Sequence, residues 1–433
     1  MRIKKRSFFE LFFPLMLIAF IGQGTRFVDF LVSSNLRWLL LLLLFGYLLS
    51  KKKLLRGVNN YLLLILLPYL VWCILTATWS QVFWLSFMKS GMFFVVVIAL
   101  VSAGVEWVRR YGWVRCLDCL FWVLVVALLS AFFGIGSSGS IDSMGTVQLY
   151  EGLSGNANTL GFLLALAFPF LLWRLYYYWS RLASRCLYGG LLGLDLFFLF
   201  KTFARGDTLI VLCILLAFLM SFQLRKQLTW ILSGALLLLL LCFLAQPLIV
   251  SMVTAHFYKQ GARTDDVLSS RQKVWQVSYE QAVKGGWFGG GFGATIGDNT
   301  FVLRHLAVGS YGREKGNSQL AIIEETGVVG LLFYAMLLIT FFFQAIRYYR
   351  SLEGSEKVML GIVLGSLVGL LVESIPEGWW DAPASSEAMC FWTLFGVVIG
   401  LINLKKRKVR CYGCTSVEAP SWTLISDSAA SKA

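Results

Sequence analysis

The sequence predicts an all-α, polytopic membrane helix bundle of about twelve transmembrane spans with one large extracytoplasmic loop. Three observations predict it. The chain is 58% hydrophobic and 15% aromatic, with a mean hydropathy of +0.73, which leaves a soluble domain no interior large enough to hide its apolar surface. Windows of about 20 apolar residues, the length that crosses a bilayer as helix, recur along it. Between successive windows, loops rich in Lys and Arg alternate with loops that hold almost none, and this asymmetry orients a polytopic chain.

The spans fall near 8–22, 36–50, 61–80, 83–104, 116–137, 157–178, 187–203, 207–224, 228–250, 319–344, 358–376 and 387–404. Glu10 interrupts the first apolar run and no small-residue cleavage site follows, so that segment reads as a retained span rather than a signal peptide. With Arg2, Lys4, Lys5 and Arg6 in the cytoplasm, the loops Lys51 to Arg56, Arg109 to Arg115, Arg174 to Arg185, Arg225 and Lys226, Arg347 to Lys357 and Lys405 to Arg410 all fall inside as well. The opposite side receives Asp142 and Glu151, then Glu373, Glu377 and Asp381. Most of the 38 basic residues behind the net charge of +15 are therefore topological, and no nucleic-acid partner is implied. The nine cysteines lie in spans or on the cytoplasmic side, which argues against a disulfide framework. Cys411 and Cys414 form one lone pair, too little for a metal site, and neither a metal nor another cofactor is expected. The chain divides into a membrane bundle of about nine spans over 1–250, a large outer loop over 251–318, further spans over 319–404, and a tail over 405–433, basic at first and then polar and disordered.

The outer loop is long for a connector, and loops of that length usually carry function. Lys259, Arg263, Arg271, Lys273, Lys284, Arg304, Arg313 and Lys315 place positive charge where topology gives no reason for it, and an anionic substrate is the simplest explanation. Within it an amphipathic helix starts at Ser269, with Gln272 placed as a capping-box partner. Val274, Trp275, Tyr279 and Ala282 form its apolar stripe, suited to the membrane-domain surface or the headgroup layer. The glycine-rich run Lys284 to Gly293 ends the helix. It lacks the strand-turn-helix setting of a phosphate cradle and reads as a tight turn that brings backbone close to the membrane or a lipid. No internal repeat is present, and Lys89 and Glu10 are the clearest ionisable residues within spans. Both facts weigh against the alternative class, a multi-span transporter of a small anion or a lipid-linked glycan.

Three outward-facing patches carry the chemistry: Ser154-Gly-Asn156-Ala-Asn158-Thr-Leu-Gly161 before a long span, Ala204-Arg205-Gly206 at the outer end of the seventh span, and Ser270-Arg271-x-x-x-Trp275 followed by Gly316-Asn317-Ser318 and Gly327-Val-Val-Gly330. In order, spacing and membrane side they resemble the O-antigen ligase and Wzy-type O-antigen polymerase family of bacterial membrane glycosyltransferases, over roughly residues 150–345. Ala204 replaces the family's serine, and Gly316 stands where its histidine usually does. The resemblance implies a multi-pass protein of the bacterial cytoplasmic (inner) membrane, with both termini cytoplasmic and the large loop outside. It implies metal-independent transfer, by polymerisation or ligation, from an undecaprenyl-diphosphate-linked glycan donor to a hydroxyl on a glycan or lipid A-core acceptor. Membrane lipids are partners on this reading, and the tail is a candidate contact for a chain-length or export partner.

Guanidinium groups bind phosphate oxygens in pairs and stay charged at any working pH, so Arg205 and Arg271 are the expected diphosphate ligands. Each also has a plainer reading, Arg205 as a headgroup anchor and Arg271 as a solvated helix residue. Asn317 and Asn156 can cap the helices that follow them, and Gly327 and Gly330 can serve close helix packing. Glycine at 316 cannot accept the acceptor's proton. Glu314 and His305 are the expected substitutes, with Glu324 and Glu325 further along, and a catalytically divergent homologue is the remaining reading.

Overall fold

The computed structural model describes residues 8–134, 149–221, 269–294, 315–380 and 382–412, with the side chains of 269–273 and 405–412 outside the description. Within them the chain is helical, relieved by one isolated antiparallel bridge between Thr25 and Ser154. The helices are α1 (Phe8–Ile21), α2 (Arg26–Leu31), α3 (Ser34–Ser50), α4 (Asn60–Leu75, prolonged by a 3-10 turn Thr76–Trp79), α5 (Phe83–Tyr111), α6 (Phe121–Phe133, after a 3-10 turn Cys116–Leu120), α7 (Ala157–Tyr177), α8 (Leu182–Thr202) and α9 (Arg205–Met220). Then come α10 (Ser269–Gly285), α11 (Ser318–Arg350), α12 (Gly354–Glu373) and α13 (Ser386–Tyr412). Eight helical stretches among the described residues are long and apolar enough to cross a membrane, and Phe8–Ile21 and Ser34–Ser50 are shorter apolar helices. The span expected at 228–250 lies outside the described residues.

Side-chain caps set several boundaries. Ser33, Asn59, Asn156 and Asn317 each accept the backbone N–H of the second or third residue of the following helix, satisfying a donor that the first turn leaves free. Arg109 and Arg110 close α5, Arg174 closes α7, and Arg347 and Arg350 close α11, all at one end of the bundle. That end is tied by long-range pairs, Lys53 to Glu106 at 2.6 Å, Arg174 to Asp118, and Asn403 Nδ2 to the Gly57 carbonyl at 2.5 Å, while Arg110 reaches Glu106 one turn away within α5 at 2.8 Å. The loops joining the opposite helix ends meet at the other end, where Gln23 donates to the Ala384 carbonyl at 2.6 Å and Ser386 to the Ile21 carbonyl at 3.2 Å.

Between the ends, glycines let helices touch along their backbones, the way apolar spans associate when lipid is as apolar as their side chains. Gly361, Gly365 and Gly369 recur every fourth residue on α12 and face Ser221, Ala217 and Ile210 of α9. Gly396 and Gly400 of α13 face Val101 and Val108 of α5, while Gly104 returns the contact toward Thr393. Trp380, Trp392, Phe391, Phe93 and Tyr69 fill the adjoining core, with the Trp380 indole donating to the Tyr69 hydroxyl at 2.8 Å.

Candidate functional site

At the end away from the arginine-rich helix termini, α11 is broken. Gly327 has φ +72 and ψ −175, so the helix stops after Thr326 and restarts at Val328. A break strands carbonyls on one side and N–H groups on the other, and unmet backbone groups within apolar surroundings are costly. Here the glycine-rich run fills it. Gly290 and Gly291 donate to the Glu324 and Glu325 carbonyls at 2.8 and 2.9 Å, Val328 and Val329 donate to the Gly286 and Trp287 carbonyls at 3.0 and 3.2 Å, and the Trp72 indole reaches the Thr326 carbonyl at 2.9 Å. A Cβ on Gly289 or Gly327 would overlap the backbone of the other segment. The run is thus a tight turn, as expected, but what its backbone approaches is the interrupted helix rather than a lipid.

A buried ionic network lies beneath this junction. Lys315 pairs with Glu325 Oε1 and donates to the Ala294 carbonyl at 3.2 Å; Glu325 Oε2 accepts from Gly293 N–H at 2.7 Å; Lys89 donates to the Gly293 carbonyl at 2.7 Å. Lys89, read from sequence as a cation inside a span, is therefore buried against the glycine run. Glu324 and Glu325 have no exposed surface, so an acceptor hydroxyl cannot reach them, and they drop out as substitutes for the histidine.

Gly316 lies under α10. The Trp275 indole donates to its carbonyl at 2.7 Å, and a Cβ there would stand 2.5 Å from Val274 Cγ1. The position where the resemblance expects histidine thus has no room for a side chain. Gly316→His is expected to lift α10 off its seat at a cost of about 1–3 kcal/mol, the usual range for overpacking, and to raise no activity. A lowered melting temperature in detergent, with unchanged or reduced turnover, checks this. Asn317 is the cap of α11, its amide oxygen accepting from Leu320 N–H at 2.8 Å. Gly330 packs against Thr326 and Trp72.

From Asn317 the contacts lead to Gly206, the neighbour of Arg205. The Ser318 hydroxyl donates to the Glu377 carbonyl at 3.0 Å and accepts from Trp379 N–H at 3.1 Å, and the Trp379 indole donates to Glu373 Oε2 at 2.7 Å. Glu373 Cγ lies 3.3 Å from where a Cβ on Gly206 would be. Arg205 is the first residue of α9, half-buried, followed by the buried Asp207. Asp207 and Ala204 in turn press on Gly161 of the Asn156 patch, where a Cβ would stand 2.6 and 2.5 Å from them. Asn156 itself is exposed and caps α7 by accepting from Asn158 N–H at 2.9 Å.

One continuous set of contacts therefore joins the Asn156, Arg205 and Trp275–Asn317 patches at the same end of the bundle. Arg271 lies in the first turns of α10, and its side chain is outside the description; Glu314 and His305 fall outside the described residues. Sequence reasoning missed the carboxylates that gather beside Arg205: Glu373 is in electrostatic reach of Glu387, Asp207 and Glu377. Two of these had been counted only as acidic loop residues, and nothing local in the sequence ties positions 207, 373 and 387 together. No protein-family model matches the chain, and no curated protein does.

Proposed function

We propose that this protein transfers glycan from an undecaprenyl-diphosphate carrier to a hydroxyl of a second glycan at the outer face of the bacterial cytoplasmic membrane, in the building of a surface polysaccharide. What carries the reading is the contact path from Gly161 of the Asn156 motif through Ala204, Gly206 and Asp207 around Arg205 to Ser318 beside Asn317, which brings three separated motifs to the end opposite the arginine-rich helix termini. Basic loops stay cytoplasmic, so that opposite end faces outward. In the transfer, the acceptor oxygen bonds to the anomeric carbon, the bond from that carbon to the diphosphate breaks, and the diphosphate leaves with the electron pair. Arg205 and Arg271 would hold the departing diphosphate, supplying positive charge as it develops. The acceptor's proton goes to a base. Glu314 and His305 keep their candidacy; Glu373 and Asp207, near Arg205 but buried like Glu324 and Glu325, do not join them.

A broken helix is also a common feature of transporter binding sites, where free half-helix ends hold substrate. In α11 those ends are occupied by Gly286 to Gly291 and Trp72, which favours the transferase over the transporter.

The decisive assay uses purified full-length protein in nanodiscs without metal or nucleotide, given lipid-diphosphate-linked repeat units with and without a lipid A-core acceptor. Ladders from donor alone are the result of a polymerase, and a single acceptor-dependent product that of a ligase. Arg205→Ala and Arg271→Ala are each expected to slow transfer by about 10²–10³-fold, as removal of one charge-stabilising donor does elsewhere. Folded protein that transfers nothing from matched donors would overturn the proposal.

A further inference from the structure

The exposed surface of α10 is divided lengthwise. Tyr279 and Val283, each 63% exposed, stand one turn apart, and Trp287 at 67% and Phe288 continue the row in the turn that follows. Beside this row runs a second, polar one: Gln276, Glu280 and Lys284, again spaced by four, with the Gln276 amide donating to Glu280 Oε1 at 3.3 Å. The opposite side, carrying Ser278 and Ala282, is buried, and α10 packs on α11. A helix seated on protein with one apolar and one polar exposed stripe fits a boundary between two media.

The apolar stripe does not end in isolation. Phe288 meets Trp72 and Trp79 of α4 with ring centroids 6.1 and 6.4 Å apart, and the Trp79 indole donates to the Gly289 carbonyl at 3.0 Å. Beyond them lie the exposed apolar flanks of the spans themselves, Val71 and Leu75 on α4, Trp84 and Met88 on α5, and Leu332 and Met336 on α11. Tryptophan and tyrosine collect at the level where acyl chains meet headgroups, because each joins an apolar ring to a polar N–H or O–H.

We infer that α10 is a membrane-surface helix: it lies along the bilayer at this end of the bundle with Tyr279, Val283, Trp287 and Phe288 inserted among the lipids and Gln276, Glu280 and Lys284 in water. The occupant of the stripe is bilayer lipid, since the stripe is continuous with the apolar flanks of the spans. This inference rests on the membrane-spanning character of the bundle and is independent of glycan transfer.

Two measurements test it. The first uses the unaltered full-length chain in phosphatidylethanolamine–phosphatidylglycerol vesicles doped with a lipid that carries a photoactivatable diazirine near its headgroup. Adducts on the stretch 279–288 are expected, and their absence, while the spans are labelled, overturns the inference. The second places single nitroxide labels on a cysteine-free background at Y279C, V283C and W287C, and at Q276C, E280C and K284C. The first three should collide with oxygen in preference to a water-soluble nickel chelate, and the second three the reverse. Nickel access at all six positions would put the helix in water, and shielding of the first three from both reagents would put protein over the stripe; either result overturns it.

Discussion

Glu325→Leu should destabilise the detergent-solubilised protein by about 3–5 kcal/mol, the cost of leaving one member of a buried ion pair without its partner. Lys315 is buried, and with leucine at 325 its ammonium keeps only the Ala294 carbonyl among the partners described above. Gly293 N–H loses its acceptor as well, a further cost of about 1–3 kcal/mol for a buried donor left unmet. Pairing the change with Lys315→Met removes the other charge of the pair, and the double variant should recover much of the loss because two apolar groups can replace a buried pair nearly neutrally. Thermal or chemical denaturation of the four proteins of this cycle measures the coupling directly. Equal, additive losses would mean that the pair is not a unit.

Gly327→Val should be the most damaging single change at this end, exceeding about 4 kcal/mol and reducing the yield of folded protein. Two terms combine. Backbone at φ +72 and ψ −175 is a conformation essentially restricted to glycine and costs another L-residue about 1–3 kcal/mol, a β-branched one more. In addition, the new Cβ would occupy the space of the Trp287 carbonyl and the Phe288 amide, which are backbone and cannot turn aside. Gly330→Ala provides the contrast. Its new methyl would overlap the Thr326 hydroxyl and Cβ, but position 330 keeps helical backbone and meets a side chain rather than main chain, so the cost is overpacking with the Thr326 to Ile322 hydrogen bond at risk, about 1–3 kcal/mol. Comparable losses in both variants would show that the break in α11 imposes no special demand at 327.

The two glycines look alike in sequence and differ in the fold, which marks where sequence reasoning reached its limit. Helix positions were legible because an apolar run bounded by charge and capped by Asn or Ser constrains its own ends: Asn59, Asn156 and Asn317 start helices close to where the hydropathy rises. The interruption at Gly327 was not legible, since hydropathy continues unbroken through Val328, Val329, Leu331 and Leu332. Its filling segment begins some forty residues earlier, in a run of glycines whose purpose depends on a partner that no local pattern names. The absence of histidine at 316 could be read, whereas its cause, the seat of Val274 and Trp275, required the third dimension. Asp207 and Glu373 were visible as acids, but their meeting beside Arg205 depends on α9 lying along α12. The Gly361, Gly365 and Gly369 series was in plain view and is the one signal that could have placed that contact in advance.

The pairing of α5 with α13 has a consequence for biosynthesis. α5 leaves the ribosome early, with Gly104, Val101 and Val108 placed to receive Gly396 and Gly400, yet α13 is made last among the described helices. At about 5–20 residues per second, translation takes on the order of tens of seconds to supply the partner. During that interval the α5 face that Gly396 and Gly400 meet lacks its partner, so nascent chains halted before residue 386 should be degraded faster than chains that include α13, as a pulse-chase of truncated and whole chains would measure.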